Sequence, residues 1–208
     1  MTRHLTAILA TLTISACLVG CGGTRFPAYY TLHVPPAVDV PIAGGTRSSL
    51  AVLEFRSPAY LHEGAIVYRT SPEQVGFYQY HRWAVDPREF LTNAMIDRLR
   101  ASGRFAEVNA YDGHSDVDYI LSGHLEKLEE VDYEGGVRVE VALSAQLTDP
   151  RSGKMVWANS ASESERVEKR NVPAVVAEMS QAMDLTIQKL LVPLTVSTTS
   201  CLNLSLQK

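Results

Sequence analysis

The feature that most constrains the fold is a strict alternation of apolar and polar side chains between residues 139 and 148. The apolar positions are Val139, Val141, Leu143, Ala145 and Leu147. Because successive side chains of a β-strand point to opposite faces, this period of two predicts a long strand with one buried face and one wet face. A similar alternation over residues 117–126, and the segment 155–166 that follows the turn 149–153, predict two more strands of an antiparallel sheet.

Two helices are predicted. Asp86 can cap the first helix and Pro87 suits its first position, while apolar residues at helical spacing extend it to just before Gly103. The second helix runs from about Val172 to Leu191, with Pro193 as its stop signal. Shorter strands are predicted at 28–34, 49–55 and 105–108, and a hairpin at 65–70 and 75–80. This order of elements predicts an α+β fold, an antiparallel sheet with two main helices packed on one face.

The N-terminal segment predicts that the protein is exported across the inner membrane. An apolar run of about 15 residues follows a basic start and is too short for a bilayer, which needs about 20, so residues 1–20 are expected to be a signal peptide. The run ends in Leu18-Val19-Gly20-Cys21, which resembles the lipobox of bacterial lipoproteins. Cys21 is therefore expected to carry lipid, palmitate among its chains, and residues 21–27 to form a tether. Alternatives are the looser lipobox that ends at Cys17, or a plain secreted protein.

The predicted location follows from the residues after Cys21. Gly22 and Gly23 stand where lipoproteins retained at the inner membrane typically carry aspartate. By that resemblance, the chain is expected on the periplasmic face of the outer membrane. Three acyl chains would hold it there stably.

Composition excludes several classes of protein. With 46% hydrophobic and 20% charged residues the chain is globular, and a net charge of −4 gives no footprint for nucleic acid. Beyond the signal peptide and Cys21 the sequence holds one further cysteine, Cys201, so no internal disulfide is expected. Residues 28–192 are expected to form one periplasmic domain, and residues 193–208 a Ser/Thr-rich tail.

The sequence lacks the common signatures of catalysis. It has no Gly-x-Ser-x-Gly elbow, no phosphate-binding Walker loop and no His-Glu-x-x-His. Oxygen-bearing side chains alternate from Asp112 to Asp118, but the glycine and glutamate that a calcium loop needs are missing. We therefore expect a protein that is not an enzyme and that holds neither a cofactor nor a metal.

Aromatic and basic residues are concentrated between positions 60 and 83. Tyrosine, tryptophan and arginine are enriched at protein interfaces. The predicted partner surface consists of Tyr60, Tyr68, Arg69, Tyr78, Tyr80, Arg82 and Trp83. The alternative is that several of them pack in the core, because Phe77 should face away from Tyr78 and Tyr80 in a strand.

Several ordered fragments carry a family resemblance. They are Tyr29-Tyr30-Thr-Leu, Leu50-Ala-Val-Leu-Glu-Phe, Pro58-Ala-Tyr-Leu, Ile66-Val-Tyr-Arg, Tyr80-His-Arg-Trp-Ala-Val-Asp-Pro and Gly123-His-Leu-Glu-Lys-Leu-Glu. Together they resemble the ABC-type transport auxiliary lipoprotein family, to which paraquat-inducible protein C belongs. The likeness runs from about Tyr29 to Leu191.

The resemblance implies an outer-membrane lipoprotein that docks the end of an envelope transport system. In such systems an ATP-driven permease works with a periplasmic protein of the MCE (mammalian cell entry) type and moves lipids or other hydrophobic compounds. The docking protein could act alone or as a homo-oligomer. Two alternatives stay open: a carrier that holds a lipid between sheet and helices, and a structural envelope lipoprotein with no transport partner.

Overall fold

A computed structural model describes residues 25–36, 48–113, 116–133 and 135–205, with side chains up to residue 194. Residues 1–20 and Cys21, on which the signal and lipidation predictions rest, lie outside this part of the chain. The strands are β1 (Ala28–Tyr30), β2 (Ser49–Val52), β3 (Ala65–Ser71), β4 (Gln74–Trp83), β5 (Glu107–Ala110), β6 (Tyr119–Asp132), β7 (Val137–Asp149) and β8 (Lys154–Arg166). The helices are α1 (Pro87–Ala101) and α2 (Val172–Ser205), and a short 3₁₀ helix spans Ala59–Glu63.

The α+β class is confirmed, and the eight-stranded sheet is mixed. The β3–β4 hairpin and the β6–β7–β8 meander are antiparallel as predicted. The expectation of an antiparallel sheet is wrong for the rest, because β2 runs parallel to both β5 and β6, β3 parallel to β6, and β1 parallel to β4. The hairpin and α1 lie between β2 and β5 in the chain, and a long crossover of this kind returns a strand in the same direction.

Strand β6 is the centre of the sheet, and one of its two edges pairs with two different strands. Along one edge it pairs with β7 over its whole length. The opposite edge pairs with β2 at Tyr119–Leu121 and with β3 at Glu130–Val131. The sheet therefore forks beyond β6, with β2 and β5 in one branch and β3, β4 and β1 in the other.

The core lies between the sheet and the two helices. The alternating apolar residues of β7 are all buried, as their period of two predicts. Leu91, Met95 and Leu99 of α1 and Met179 and Ile187 of α2 are buried against them, in one continuous apolar cluster. Arg98 of α1 and Asp184 of α2 form an ion pair, so the helices lie side by side on one face of the sheet. Among the described residues, no helix combines the length and the hydropathy that a membrane span requires.

Helix α1 begins as its sequence predicts. The Asp86 side chain accepts a hydrogen bond from the Arg88 backbone N–H at 2.8 Å, and Pro87 occupies the first turn. The N–H groups of the first turn have no partner within a helix, so a capping carboxylate satisfies one of them. The Arg88 guanidinium binds the same carboxylate, 2.6 Å from Nη2 to Oδ2.

Helix α2 does not end where the sequence predicts. It runs through Pro193 to Ser205, so the expected stop at Pro193 is wrong, and Leu194 is buried in the core. Pro193 lacks the N–H that would bind the Lys189 carbonyl four residues earlier, and burial of Leu194 in the next turn offsets that loss. The Asn159 side-chain amide donates to the Leu190 carbonyl oxygen at 2.9 Å, and the Arg104 guanidinium approaches that of Leu194 at 3.4 Å.

Candidate functional site

The predicted partner surface lies in the branch of the sheet that contains β3, β4 and β1. The 3₁₀ helix before β3 carries Tyr60, β3 carries two of the seven residues and β4 carries four. Trp83 is only 6% exposed and belongs to the core, so its predicted place on the surface is wrong in this structure. It shares a face with Tyr30, its register partner on β1, which also packs on the core. The other six residues are partly exposed.

Three of those six residues line one groove. Tyr60, Tyr78 and Arg82 border an open groove of about 510 Å³, together with Phe77 and Glu63. The Arg82 guanidinium donates to the Glu63 carbonyl oxygen at 2.6 Å, which fixes one wall. Phe77, expected on the core side, is instead 42% exposed. The groove therefore combines aromatic surface with a guanidinium.

Tyr68, Tyr78, His81 and Tyr30 form a continuous aromatic row. Ring centroids are 5.0 Å apart for Tyr68 and Tyr78, and 5.6 Å apart for Tyr78 and His81 and for His81 and Tyr30. The Tyr30 hydroxyl and His81 Nδ1 also share a hydrogen bond of 2.9 Å. Such tilted and edge-on contacts stabilise aromatic pairs. The row therefore ties β3, β4 and β1 together and fixes the orientation of Tyr78 in the groove.

The Arg69 side chain forms an ion pair and hydrogen bonds within the domain. Its Nε donates to Oε1 of Glu129 at 2.8 Å, and its Nη1 donates to the Pro72 carbonyl oxygen at 2.9 Å. The Glu129 side chain is 1% exposed, and the Tyr60 hydroxyl lies 3.5 Å from its other oxygen. Burial and the negative charge of Glu129 raise the pKa of Tyr60. Arg69 thus compensates a buried carboxylate where β3 meets β6.

Glu130 is a second carboxyl group at the same junction. Its Oε2 accepts a hydrogen bond of 2.8 Å from the Tyr78 hydroxyl. Burial raises the pKa of Glu130 although this hydrogen bond opposes the shift, and burial and the bond to Glu130 raise the pKa of Tyr78. The junction between the hairpin and β6 is therefore held by Arg69–Glu129 and Tyr78–Glu130 together.

Sequence reasoning missed both carboxyl groups. The register between β6 and β7 shifts between Leu125 and Lys127, because the sheet holds a bulge there. After the bulge the alternation of β6 breaks down, and Leu128, Glu129, Glu130 and Val131 are all buried. The signal in the sequence is the spacing of three between Leu125 and Leu128, where an undisturbed strand would give two or four.

The sheet face turned away from the helices carries a different groove. It has a volume of about 540 Å³ and lies across β6, β7 and β8. Small and polar side chains line it, among them Ser122, His124, Ser144, Gln146 and Ser160. Because cross-strand partners share a face, these residues are the wet side of the alternation in β7. The groove is therefore polar.

The acidic stretch from Asp112 to Asp118 has a structural role at its end. The Asp118 Oδ2 accepts hydrogen bonds from the Ser49 N–H at 2.9 Å and the Ser49 hydroxyl at 3.1 Å, and these bonds lower the pKa of Asp118. They join the entry of β6 to the start of β2. Within the described residues, no group of three or more histidine, cysteine or acidic side chains is arranged to hold a metal ion.

The described residues that precede and form β1, from Arg25 to Tyr30, lie against β4. Arg25 places its guanidinium carbon 4.8 Å from the centre of the Tyr80 ring. The next residues enter β1, which pairs in register with β4: Ala28 lies beside His81 and Tyr29 beside Arg82. Phe26 and Tyr29 are 80% and 63% exposed. Tyr29 therefore stands beside Arg82, which borders the groove, and neither Phe26 nor Tyr29 belongs to the predicted partner surface.

Comparison with known proteins shows the family. The family model of the ABC-type transport auxiliary lipoprotein component matches residues 30–190. The chain therefore belongs to this family, as the sequence resemblance predicts. No curated protein sequence matches the chain.

Solved structures share the fold at low sequence identity. A Xanthomonas campestris protein of the DUF330 family is 17% identical, with a TM-score of 0.73 over 85% of this chain and 99% of its own. An uncharacterised protein is 18% identical, with a TM-score of 0.61 over 79% and 95%. A hypothetical protein of Chlamydia trachomatis is 8% identical, with a TM-score of 0.50 over 72% and 96%. These likenesses concern the fold.

Proposed function

We propose that this chain is a lipoprotein anchored at the periplasmic face of the outer membrane, where it docks the MCE-type protein of an ABC envelope transport system. The observation that carries the proposal is the family match over residues 30–190, which makes the chain an auxiliary component of ABC-type transport. The cargo would be lipids or other hydrophobic compounds.

The lipobox that ends at Cys21 supports the anchor. Only residues 22–24 separate Cys21 from Arg25, which already lies against the domain. A short tether of this kind would hold the domain close to the membrane rather than far out in the periplasm. The Gly22-Gly23 pair supports sorting to the outer membrane.

A docking role that needs no catalysis agrees with the surfaces of the domain. The groove beside Tyr60, Tyr78 and Arg82 offers aromatic and guanidinium groups, the types enriched in protein interfaces. Either this groove or the polar one across β6, β7 and β8 could receive a protein partner. A second copy of the chain remains a further candidate partner.

The alternative of a lipid carrier receives less support. A carrier needs an apolar cavity that its own side chains leave empty. The layer between sheet and helices holds packed side chains, and both grooves described here lie on the outside and are lined substantially by polar atoms. We therefore favour docking over carriage.

The test is purification of the intact acylated protein in mild detergent, with bound proteins and lipids identified by mass spectrometry. Recovery of an MCE-type protein supports docking. Recovery of stoichiometric lipid without a protein partner supports the lipid carrier. Recovery of neither supports a structural lipoprotein with no transport partner.

The anchor is tested separately with Cys21→Ala. This variant should be lost from the outer-membrane fraction, whereas Cys17→Ala, which removes the alternative lipobox cysteine, should fractionate normally. Normal fractionation of Cys21→Ala would show that Cys21 is not the anchor.

A further inference from the structure

The exposed aromatic residues near the N-terminus lie where the anchor would bring them to the membrane. We define the membrane-facing patch as Arg25, Phe26, Tyr29, Phe77 and Arg82. Its three aromatic side chains are 80%, 63% and 42% exposed, in chain order. A group of exposed large apolar side chains marks an interaction surface, and here Tyr29 lies beside Arg82 across β1 and β4 while Arg82 and Phe77 border the same groove.

The length of the tether limits the distance of this patch from the lipid. Four residues lead from Cys21 to Arg25, and an extended chain spans at most about 3.6 Å per residue, so Arg25 lies within roughly 14 Å of the acylated cysteine. The headgroup layer of one leaflet is about 5–8 Å thick. The anchor would therefore hold Arg25 close to the headgroups.

The direction of β1 decides which part of the domain faces the membrane. Strand β1 runs parallel to β4, with Ala28 beside His81 and Tyr30 beside Trp83. The chain before β1 therefore runs back along β4, as the stacking of Arg25 on Tyr80 shows. Continuing in that direction leads toward Phe77, whose partner Val67 lies only two β3 residues, about 7 Å, from Ala65, the partner of Arg82.

The chemistry of the patch fits a phospholipid surface. Aromatic side chains concentrate at the level of the headgroups, and basic residues near the surface are attracted to anionic lipids. Tyr29 and Arg82 are register partners and share one face of β1 and β4. Arg82 also borders the open groove in which Phe77 is exposed.

We propose that the membrane-facing patch sits in the headgroup layer and binds the phosphate groups of phospholipids in the membrane that anchors Cys21. The inference rests on the lipid anchor of the proposed function. The patch adds a second contact to the anchor and so fixes how the domain is turned relative to the membrane.

Tryptophan fluorescence tests this contact in the acylated full-length protein. Phe77→Trp places a reporter in the patch, and Met155→Trp places one on β8 at a position that is more exposed, 60% against 42%. Four strand spacings, about 19 Å, separate β4 from β8 in the sheet. The native Trp83 and Trp157 are buried, and the unsubstituted protein gives their signal.

Each protein is reconstituted into phosphatidylethanolamine–phosphatidylglycerol vesicles with or without phosphatidylcholine brominated near the headgroup end of its acyl chains. Bromine should quench Phe77→Trp at least about twofold more than Met155→Trp, because only the patch enters the interface. Adding Arg25→Glu to Phe77→Trp should reduce that quenching, whereas adding Arg151→Glu should not.

Vesicle flotation separates the two proposals. Flotation with equal quenching of both reporters, or with no quenching of either, would refute the patch and leave the anchor intact. A protein that fails to float would refute the anchor, and the patch with it. If the Phe77→Trp reporter is shielded from solvent only when a partner protein is added, the surface belongs to that protein. That result would also overturn the membrane contact.

Discussion

Substituting Arg69 separates a stabilising role from a binding role. Arg69 stands in the predicted partner surface, yet its Nε lies 2.8 Å from Oε1 of Glu129, whose side chain is 1% exposed. Arg69→Met keeps much of the side-chain volume and removes the charge. The carboxylate of Glu129 is then left buried, and the Tyr60 hydroxyl, 3.5 Å from its Oε2, is a weak remaining partner.

The expected loss follows from the burial of the pair. Breaking a buried ion pair by removing one partner costs about 3–5 kcal/mol, because the other charge stays buried. The Arg69 side chain is 18% exposed, so water can reach part of the vacated space, and we expect the lower value of about 2–3 kcal/mol. For a domain of this size the melting temperature should fall by roughly 5–10 °C.

Urea unfolding followed by the fluorescence of the buried Trp83 and Trp157 measures this loss. The matched control is Arg151→Met, since Arg151 pairs with Asp116 and Asp118 at 3.5 and 3.7 Å on an exposed surface. Such exposed pairs contribute little, so the control should change the unfolding free energy by less than about 0.5 kcal/mol.

A double variant identifies the cause. Adding Glu129→Gln to Arg69→Met removes the stranded charge, so the double variant should lose about 1–3 kcal/mol less than the sum of the two single changes. A loss for Arg69→Met no larger than that of Arg151→Met, or strict additivity in the double variant, would refute the reasoning. Reduced partner recovery at unchanged stability would return Arg69 to the partner surface.

Three further substitutions test the sheet and the capping of α1. Gly123→Ala should cost about 1–3 kcal/mol in urea unfolding, since a Cβ there would lie 2.3 Å from the Phe55 ring and 2.7 Å from the Ser144 carbonyl oxygen, whereas Gly136→Ala, with nothing closer than 4.0 Å, should be nearly neutral. Glu130→Gln should become more stable relative to the native protein as pH rises. The pKa of Glu130 is raised in the folded protein, so the native protein loses stability as pH rises from the unfolded pKa of 4.5 through the higher folded pKa. A variant that shows no such trend would contradict the burial of this charge. Asp86→Ala should cost about 1 kcal/mol near neutral pH, and the difference should vanish as pH falls through the lowered pKa of Asp86, which the hydrogen bond from Arg88 holds below 3.8.

The elements predicted correctly carry local signals. Asp86 and Pro87 mark the start of α1, and the turn after Ser71 joins two adjacent strands into the β3–β4 hairpin. The alternation in β7 fixes which face is buried without reference to any partner. Each of these signals is complete within a short segment, so the sequence alone suffices to read it.

The parts that were missed depend on distant segments. The parallel pairing of β2 joins residues about 70 positions apart, such as Leu50 and Tyr119. A trace of it exists, because Leu50, Ala51 and Val52 form a fully buried run of the kind typical of parallel strands. The run does not indicate which strand it pairs with. Likewise, Pro193 predicts a helix end, and the burial of Leu194 in the core, which favours continuation, depends on segments distant in the chain.

The candidate site shows the same difference between local signals and long-range contacts. Composition located the aromatic region between Tyr60 and Trp83, but not which side chains are exposed. Exposure depends on the register of β1 with β4, which covers Trp83 and leaves Tyr29 open, and on the bulge in β6, which buries Glu129 and Glu130 beneath the hairpin.

The hydrogen-bonded order of the strands connects the proposed anchor to the rest of the domain. Residues 25–27 lead into β1, β1 pairs with β4, and β4 pairs with β3. Strand β3 contacts β6 through only two register pairs, at Tyr68 and Arg69, so backbone pairing alone gives this junction little rigidity. The side-chain bonds Arg69–Glu129 and Tyr78–Glu130 lie at this junction. The proposed docking role would require a partner surface held at a fixed angle to the membrane, and in this fold that angle would depend on two carboxylates whose burial without their partners is unfavourable.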